Sequence, residues 1–177
     1  TGLNPVEVYA GIIDGAVGSS RRLWVTIRDA LALLLVAVAI TPAFKMRFWN
    51  VGGEGQVLIG ATATAAVMIN LGDKVPAPVL FALMIGASLL AGMVWGLIPA
   101  LFKAGWNTNE TLFTLMLNYV ATQIVSFCIV FWENPAGSNS VGIINSASKA
   151  GWLPPLLNLT YGWNLVIVVA ITAFIYV

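Results

Sequence analysis

The chain has 177 residues, of which 59% are hydrophobic and 8% are charged, and its formal net charge is +1. Soluble domains are roughly 45–50% apolar and about 25% charged, so this composition excludes an ordinary soluble protein and predicts an all-α, polytopic membrane helix bundle. The low net charge argues against a nucleic-acid partner, because phosphate neutralisation needs clustered Lys and Arg. The sequence has no His and a single Cys, Cys128. The usual zinc sites and Ser-His or Cys-His nucleophiles are therefore excluded, and we expect no metal, no cofactor and no enzymatic reaction.

In chain order, residues 1–22 are predicted to form an interfacial segment, because apolar residues recur there at helical spacing; the alternative is a poorly ordered lead-in. Five apolar membrane spans are predicted after it. They cover about residues 23–44, 56–71, 78–102, 110–132 and 163–177. Pro42 is expected to end the first span, since proline removes a helix hydrogen bond. Residues 133–162, rich in Asn, Ser, Gly and Pro, are predicted to form a long extramembrane loop.

Two features suggest that this is an internal piece of a longer polytopic protein. The chain begins at Thr1 rather than Met, and its last apolar run, Leu165 to Val177, is shorter than the about 20 residues that a spanning helix needs. We expect further helices on both sides.

Small residues in two spans are suited to close helix contact. Gly60 lies in the second span, and Gly92 and Gly96 form a GxxxG pattern in the third. We expect these three glycines to lie at helix packing surfaces.

A polar cluster interrupts the apolar sequence between the first two spans. It consists of Asn50, Gly52, Gly53, Glu54, Gly55 and Gln56. Hydrocarbon cannot satisfy bare backbone N–H and C=O groups, so a helix break here must be covered by protein, lined by water or placed at the membrane surface. A broken helix would present Glu54 and Gln56 at the positive end of a helix dipole, with Lys45 or Arg47 the nearest bases for Glu54. The alternative is a surface loop with a solvated Glu54.

A nucleotide-binding loop is excluded at this cluster. The glycines do not complete G-x-G-x-x-G, and no Gly-Lys-Ser/Thr follows them.

The fourth span has one polar face. Thr111, Thr114, Asn118 and Thr122 fall within an arc of roughly 80° at 3.6 residues per turn. Interhelical hydrogen bonding would explain the threonines, whereas the amide of Asn118 needs several partners and favours a functional role. We predict that Thr114, Asn118 and Thr122 line a solute path, with Asn50, Glu54 and Gln56 beside it.

Two sequence blocks resemble a known family. Residues 49–61, WNVGGEGQVLIGA, resemble the FN(I/V)GxEGQxxxGA stretch of permease subunits in bacterial ABC importers for nucleosides and simple sugars. Residues 109–121, NETLFTLMLNYVA, resemble that family's NExxxTLMLNYxA segment, and Asn4-Pro5 with Tyr9 is similar to its NPxxxY region. Branched-chain amino-acid permeases share the N-x-G-x-E-G core and are the alternative within the family. The continuation to Gln56 and the LMLNY segment favour the nucleoside and sugar branch.

This resemblance implies the second to sixth helices of a ten-helix permease in the bacterial inner membrane. Loop 133–162 would be extracytoplasmic and residues 50–56 would lie toward the cytoplasm, although a count of basic residues gives the opposite orientation. The implied partners are a separate ABC ATPase, a second permease subunit, an extracytoplasmic solute-binding lipoprotein and the lipid bilayer. The rival function is an ion-coupled carrier or channel with Glu54 as its intramembrane site.

Overall fold

The computed structural model describes residue 2, residues 4–156 and residues 162–176. In this part of the chain the regular structure is helical, which confirms the predicted fold class. The helices are α1 (Pro5–Val17), α2 (Ser20–Lys45), α3 (Gly53–Leu71), α4 (Ala77–Trp106), α5 (Glu110–Phe131) and α6 (Gly162–Tyr176). Residues 1 and 3 of the predicted interfacial segment, residues 157–161 of the predicted loop and residue 177 of the last predicted span lie outside the described residues.

Three described helices are long and apolar enough to cross a membrane, namely α2, α4 and α5. The sequence predicts five spans, two more than these three. The 19 residues of α3 include Glu54, Gln56 and Asn70 among many small residues, which lowers its apolarity. The helix α6 is apolar over its 15 described residues.

Proline does not end the first long helix where the sequence predicts. Pro42 lies inside α2, which continues to Lys45, and Pro99 likewise lies inside α4, which continues to Trp106. Proline has a helical φ and lacks only its own N–H, so a helix can extend past it at the cost of one backbone hydrogen bond. The helix therefore ends at Lys45, one residue beyond the predicted bound of the first span, with Pro42 inside its last turn.

The chain forms two compact units. One comprises residues 1–42 with 153–177, and the other comprises residues 43–152. In the first unit, hydrogen bonds connect the end of α1 to the start of α2. Arg22 Nη1 donates to Asp14 Oδ2 at 2.6 Å and to the Asp14 carbonyl oxygen at 2.9 Å, and Thr26 Oγ1 donates to the Ala16 carbonyl oxygen at 2.8 Å. Tyr9, in the middle of α1, is exposed.

The second unit is a three-helix assembly in which α3 contacts both α4 and α5. Small residues let α3 and α4 approach closely. A Cβ added at Gly60 of α3 would lie 3.0 Å from Ser88 Oγ of α4, and one added at Gly96 of α4 would overlap the side-chain amide of Gln56. Small residues at such contacts let the two helices approach closely.

Part of the long loop is anchored on the end of α3. Asn145 Nδ2 donates to the carbonyl oxygen of Met68 at 2.9 Å, and Trp152 Nε1 donates to the carbonyl oxygen of Ile144 at 3.0 Å. Gly151 has a φ of +81°, and a Cβ there would lie 3.0 Å from Met68 Cγ. The loop therefore covers one end of the three-helix unit, opposite the end at which α3 begins.

Candidate functional site at the start of α3

The polar cluster forms a break between α2 and α3. Residues 48–51 are irregular, and α3 begins at Gly53 after Gly52, whose position has no side-chain cap. Asn50 is buried, and its Oδ1 accepts a hydrogen bond from the Gly52 N–H at 2.9 Å. The first four N–H groups of any helix lack partners within that helix, so the start of α3 needs acceptors from elsewhere.

The polar face of α5 supplies them. Asn118 Oδ1 accepts from the Gly55 N–H at 2.9 Å, while Asn118 Nδ2 donates to the Val51 carbonyl oxygen at 3.0 Å. Thr114 Oγ1 accepts from the Val51 N–H at 3.2 Å and donates to the Glu110 carbonyl oxygen at 2.8 Å. Thr114 is 1% exposed and Asn118 is 7% exposed. One face of α5 therefore caps α3 from a neighbouring helix.

Glycine is needed where these elements meet. A Cβ at Gly55 would lie 2.8 Å from Asn118 Oδ1 and 3.0 Å from Trp95 Nε1. A Cβ at Gly52 would lie 2.9 Å from Asn50 Oδ1. Real Cβ atoms essentially never approach other atoms below 3.0 Å, so the hydrogen bonds of Asn118 and Asn50 depend on the absence of side chains at Gly55 and Gly52.

A narrow crevice lies beside this junction. It has no room for a water molecule, and its walls come from the break, α3, α4 and α5. Its lining residues are Asn50, Gly52, Gln56, Trp95, Pro99, Thr114 and Leu117. The indole nitrogen of Trp95 is buried, and in the described part of the chain it has no hydrogen-bond partner.

The six predicted path residues do not share one environment. Asn50, Thr114 and Asn118 are buried together at the break, and the half-buried Gln56 lies against Gly96. Thr122 is exposed and donates to the carbonyl oxygen of Asn118 in its own helix at 3.0 Å.

Glu54 is exposed as well, and the ion pair near the break does not involve it. Lys103 Nζ at the end of α4 lies 2.9 Å from Glu110 Oε2 at the start of α5, and Glu110 is buried. Glu110 is a carboxylate that the sequence analysis did not single out.

Sequence reasoning also missed Trp95. The signal was present, because Trp95 directly precedes Gly96 in the GxxxG pattern, and a residue next to a packing glycine lies near the helix contact. No group of three or more His, Cys, Asp or Glu side chains that could hold a metal ion occurs among the described residues.

Comparison with known proteins identifies the family of this chain. A family model described as branched-chain amino acid transport system / permease component matches residues 24–177. The glucose ABC transporter permease protein TsgB13 of Haloferax volcanii is 33% identical over 162 residues, covering 90% of this chain and 41% of that protein. The guanosine ABC transporter permease protein NupP of Bacillus subtilis is 31% identical over 129 residues, covering 73% of this chain and 36% of that protein.

A third relative, the nucleoside ABC transporter permease protein NupB of Lactococcus lactis subsp. cremoris, is 26% identical over 182 residues, covering 98% of this chain and 49% of that protein. The chain thus spans less than half the length of each of these relatives. No solved structure matches it. The family match confirms the predicted resemblance to sugar and nucleoside permeases, and the chain is a membrane protein that belongs to the branched-chain amino acid transport system permease family.

Proposed function

We propose that this chain serves in the permease subunit of an ABC importer and forms part of the translocation path for a nucleoside or a simple sugar. One observation carries the proposal. The two sequence blocks that resemble such permeases, residues 49–61 and 109–121, meet in space, where Asn118 of the second block binds the backbone of Val51 and Gly55 in the first. The relatives described as glucose, guanosine and nucleoside permeases support this choice of solute over a branched-chain amino acid.

In this proposal the protein lies in the inner membrane of the cell and works with three partners. An ABC ATPase supplies the energy, a second permease subunit completes the path, and an extracytoplasmic lipoprotein delivers the solute. Helices α3 and α6 lie in the membrane with α2, α4 and α5, and the contacts of α3 with α4 and α5 shield its polar start from lipid. Residues 1–22 lie at the interface, and loop 133–162 is extracytoplasmic.

We assign two roles within the path. Glu54, Gln56 and Thr122 have polar groups that are at least partly exposed, so they are available to the solute. Asn50, Thr114 and Asn118 are buried and hold the helix break in place. The glycines of the break and of the helix contacts permit this geometry; they are Gly52, Gly53, Gly55, Gly60, Gly92 and Gly96. Dispersed, weak hydrogen bonds suit a conduit, because tight binding would slow release.

The ion-coupled alternative assigns Glu54 as a buried ion site. The exposure of Glu54 at the start of α3 disfavours it, because an intramembrane carboxylate that binds an ion is normally enclosed and paired.

The test is transport by the full-length permease, reconstituted in proteoliposomes with its partner ATPase and binding protein. We expect uptake of radiolabelled guanosine or glucose that requires ATP, is blocked by vanadate and is insensitive to ionophores. Uptake that follows an imposed ion gradient without ATP, and that Glu54→Gln abolishes, would refute the proposal and support the ion-coupled carrier.

A further inference from the structure

The indole N–H of Trp95 is a buried donor that the fold does not use. Its nitrogen is inaccessible to solvent and has no acceptor among the described residues. Buried Trp N–H groups usually find a partner, and leaving a buried donor unpaired costs free energy of folding. The unpaired state of Trp95 therefore needs an explanation.

The crevice around Trp95 offers no acceptor for this N–H. No water fits into it, so a bridging water cannot accept from the indole. The oxygen of the neighbouring Asn50 side chain already accepts from the Gly52 N–H at 2.9 Å. The nitrogen of Trp95 faces Gly55, close enough that a Cβ there would lie 3.0 Å away.

Three hydrogen bonds join two other walls of this crevice. The turn that begins α3 is fastened to α5 by the hydrogen bonds of Val51 and Gly55 with Thr114 and Asn118. A small separation of α5 from this turn would break these bonds together and widen the crevice. The widened crevice would expose the indole N–H next to the side-chain amide of Gln56, which also lines it.

From these observations we infer that Trp95 is a solute-binding residue whose indole N–H donates a hydrogen bond to a hydroxyl or carbonyl oxygen of the transported solute when the crevice widens. This inference rests on the proposed transport function. Its ligand class is a polyhydroxylated sugar or a nucleoside, because such solutes combine oxygen acceptors with a face that packs on an indole ring. The amide of Gln56 supplies a second hydrogen-bonding group beside it.

The test is Trp95→Phe in the full-length permease, which keeps an aromatic ring and removes only the donor and part of the indole. Phenylalanine is smaller than tryptophan, so the variant loses some buried apolar contact and a modest fall in the thermal unfolding midpoint is expected; the midpoint serves to confirm that the variant is folded at the assay temperature. Uptake of guanosine or glucose, whichever the wild type transports, should fall roughly three- to tenfold at solute concentrations well below saturation, the effect of losing one hydrogen bond to the solute. Trp106→Phe is the matched control, because Trp106 lies at the end of the same helix with an exposed side chain, and neither measurement should change.

Wild-type uptake by Trp95→Phe would overturn the inference while leaving the proposed function intact. If the wild type transports neither solute, the proposed function fails, and the inference, which rests on it, fails with it.

Discussion

Asn118 uses one side chain to satisfy two backbone groups of another helix. Its oxygen accepts from Gly55 and its nitrogen donates to Val51, residues 63 and 67 positions away in sequence. An amide in an apolar helix needs several partners, and this requirement is why the sequence singled it out. The structure identifies those partners as backbone atoms of the break.

We predict that Asn118→Leu destabilises the permease. It leaves the Gly55 N–H and the Val51 carbonyl without their side-chain partners, and each unsatisfied buried group costs about 1–3 kcal/mol. The thermal unfolding midpoint of the purified full-length protein in detergent should fall clearly. Thr122→Val is the control, because the Thr122 hydroxyl donates only within α5, and such exposed changes usually stay within about 0.5 kcal/mol. Equal midpoints for both variants would show that the Asn118 bonds do not stabilise the fold.

At the scale of elements, α3 is positioned by close approach at several points along its length. Gly55 faces Asn118 of α5 and Trp95 of α4, and Gly60 faces Ser88 of α4. A Cβ at Gly55 would come closer than real Cβ atoms do, and one at Gly60 would make an unusually tight contact, so the small size of both residues favours the close packing of the three helices.

Gly55→Ala tests this packing. The added Cβ would lie 2.8 Å from Asn118 Oδ1, so α3 and α5 must separate and the hydrogen bond to Asn118 must lengthen. Overpacking of this kind costs typically about 1–3 kcal/mol, and the thermal midpoint should fall. Gly86→Ala is the matched control in α4, since an added Cβ there has nothing within 4 Å and alanine favours a helix. A midpoint that Gly55→Ala leaves unchanged would contradict the proposed contact.

At the scale of the whole molecule, the orientation in the membrane is the main property that the chain's own charges do not decide. The count of basic residues and the family resemblance give opposite orientations, and we propose the one that the resemblance implies. In this orientation residues 133–162 are extracytoplasmic, and the break before α3 faces the cytoplasm.

Single-cysteine labelling of the full-length permease in intact cells distinguishes the two orientations. In a background with Cys128→Ala and no other cysteine, we expect Ser138→Cys to react with a membrane-impermeant maleimide added outside. Met46→Cys, at a position that is 75% exposed before the break, should react only after the cells are permeabilised. The reverse pattern would show that the basic-residue count gives the correct orientation.

The sequence by itself determined the membrane class, the helical fold and the family. These properties depend on apolar content, on helical spacing and on two sequence blocks that resemble the family, and all of them can be read from short stretches of the chain. The start of α3 was also predictable, because a cluster of glycines and amides between apolar runs indicates a helix break.

Only the tertiary structure decided how that break is satisfied and which polar groups are buried. Glu54 and Glu110 both lie in the first turn of an apolar helix. Glu54 is nevertheless exposed, whereas Glu110 is buried beside Lys103. Likewise, nothing local to Trp95 reveals that its N–H lacks an acceptor. Burial and hydrogen bonding at these residues depend on atoms from segments distant in sequence, and only the packing of α3 against α4 and α5 brings those atoms together.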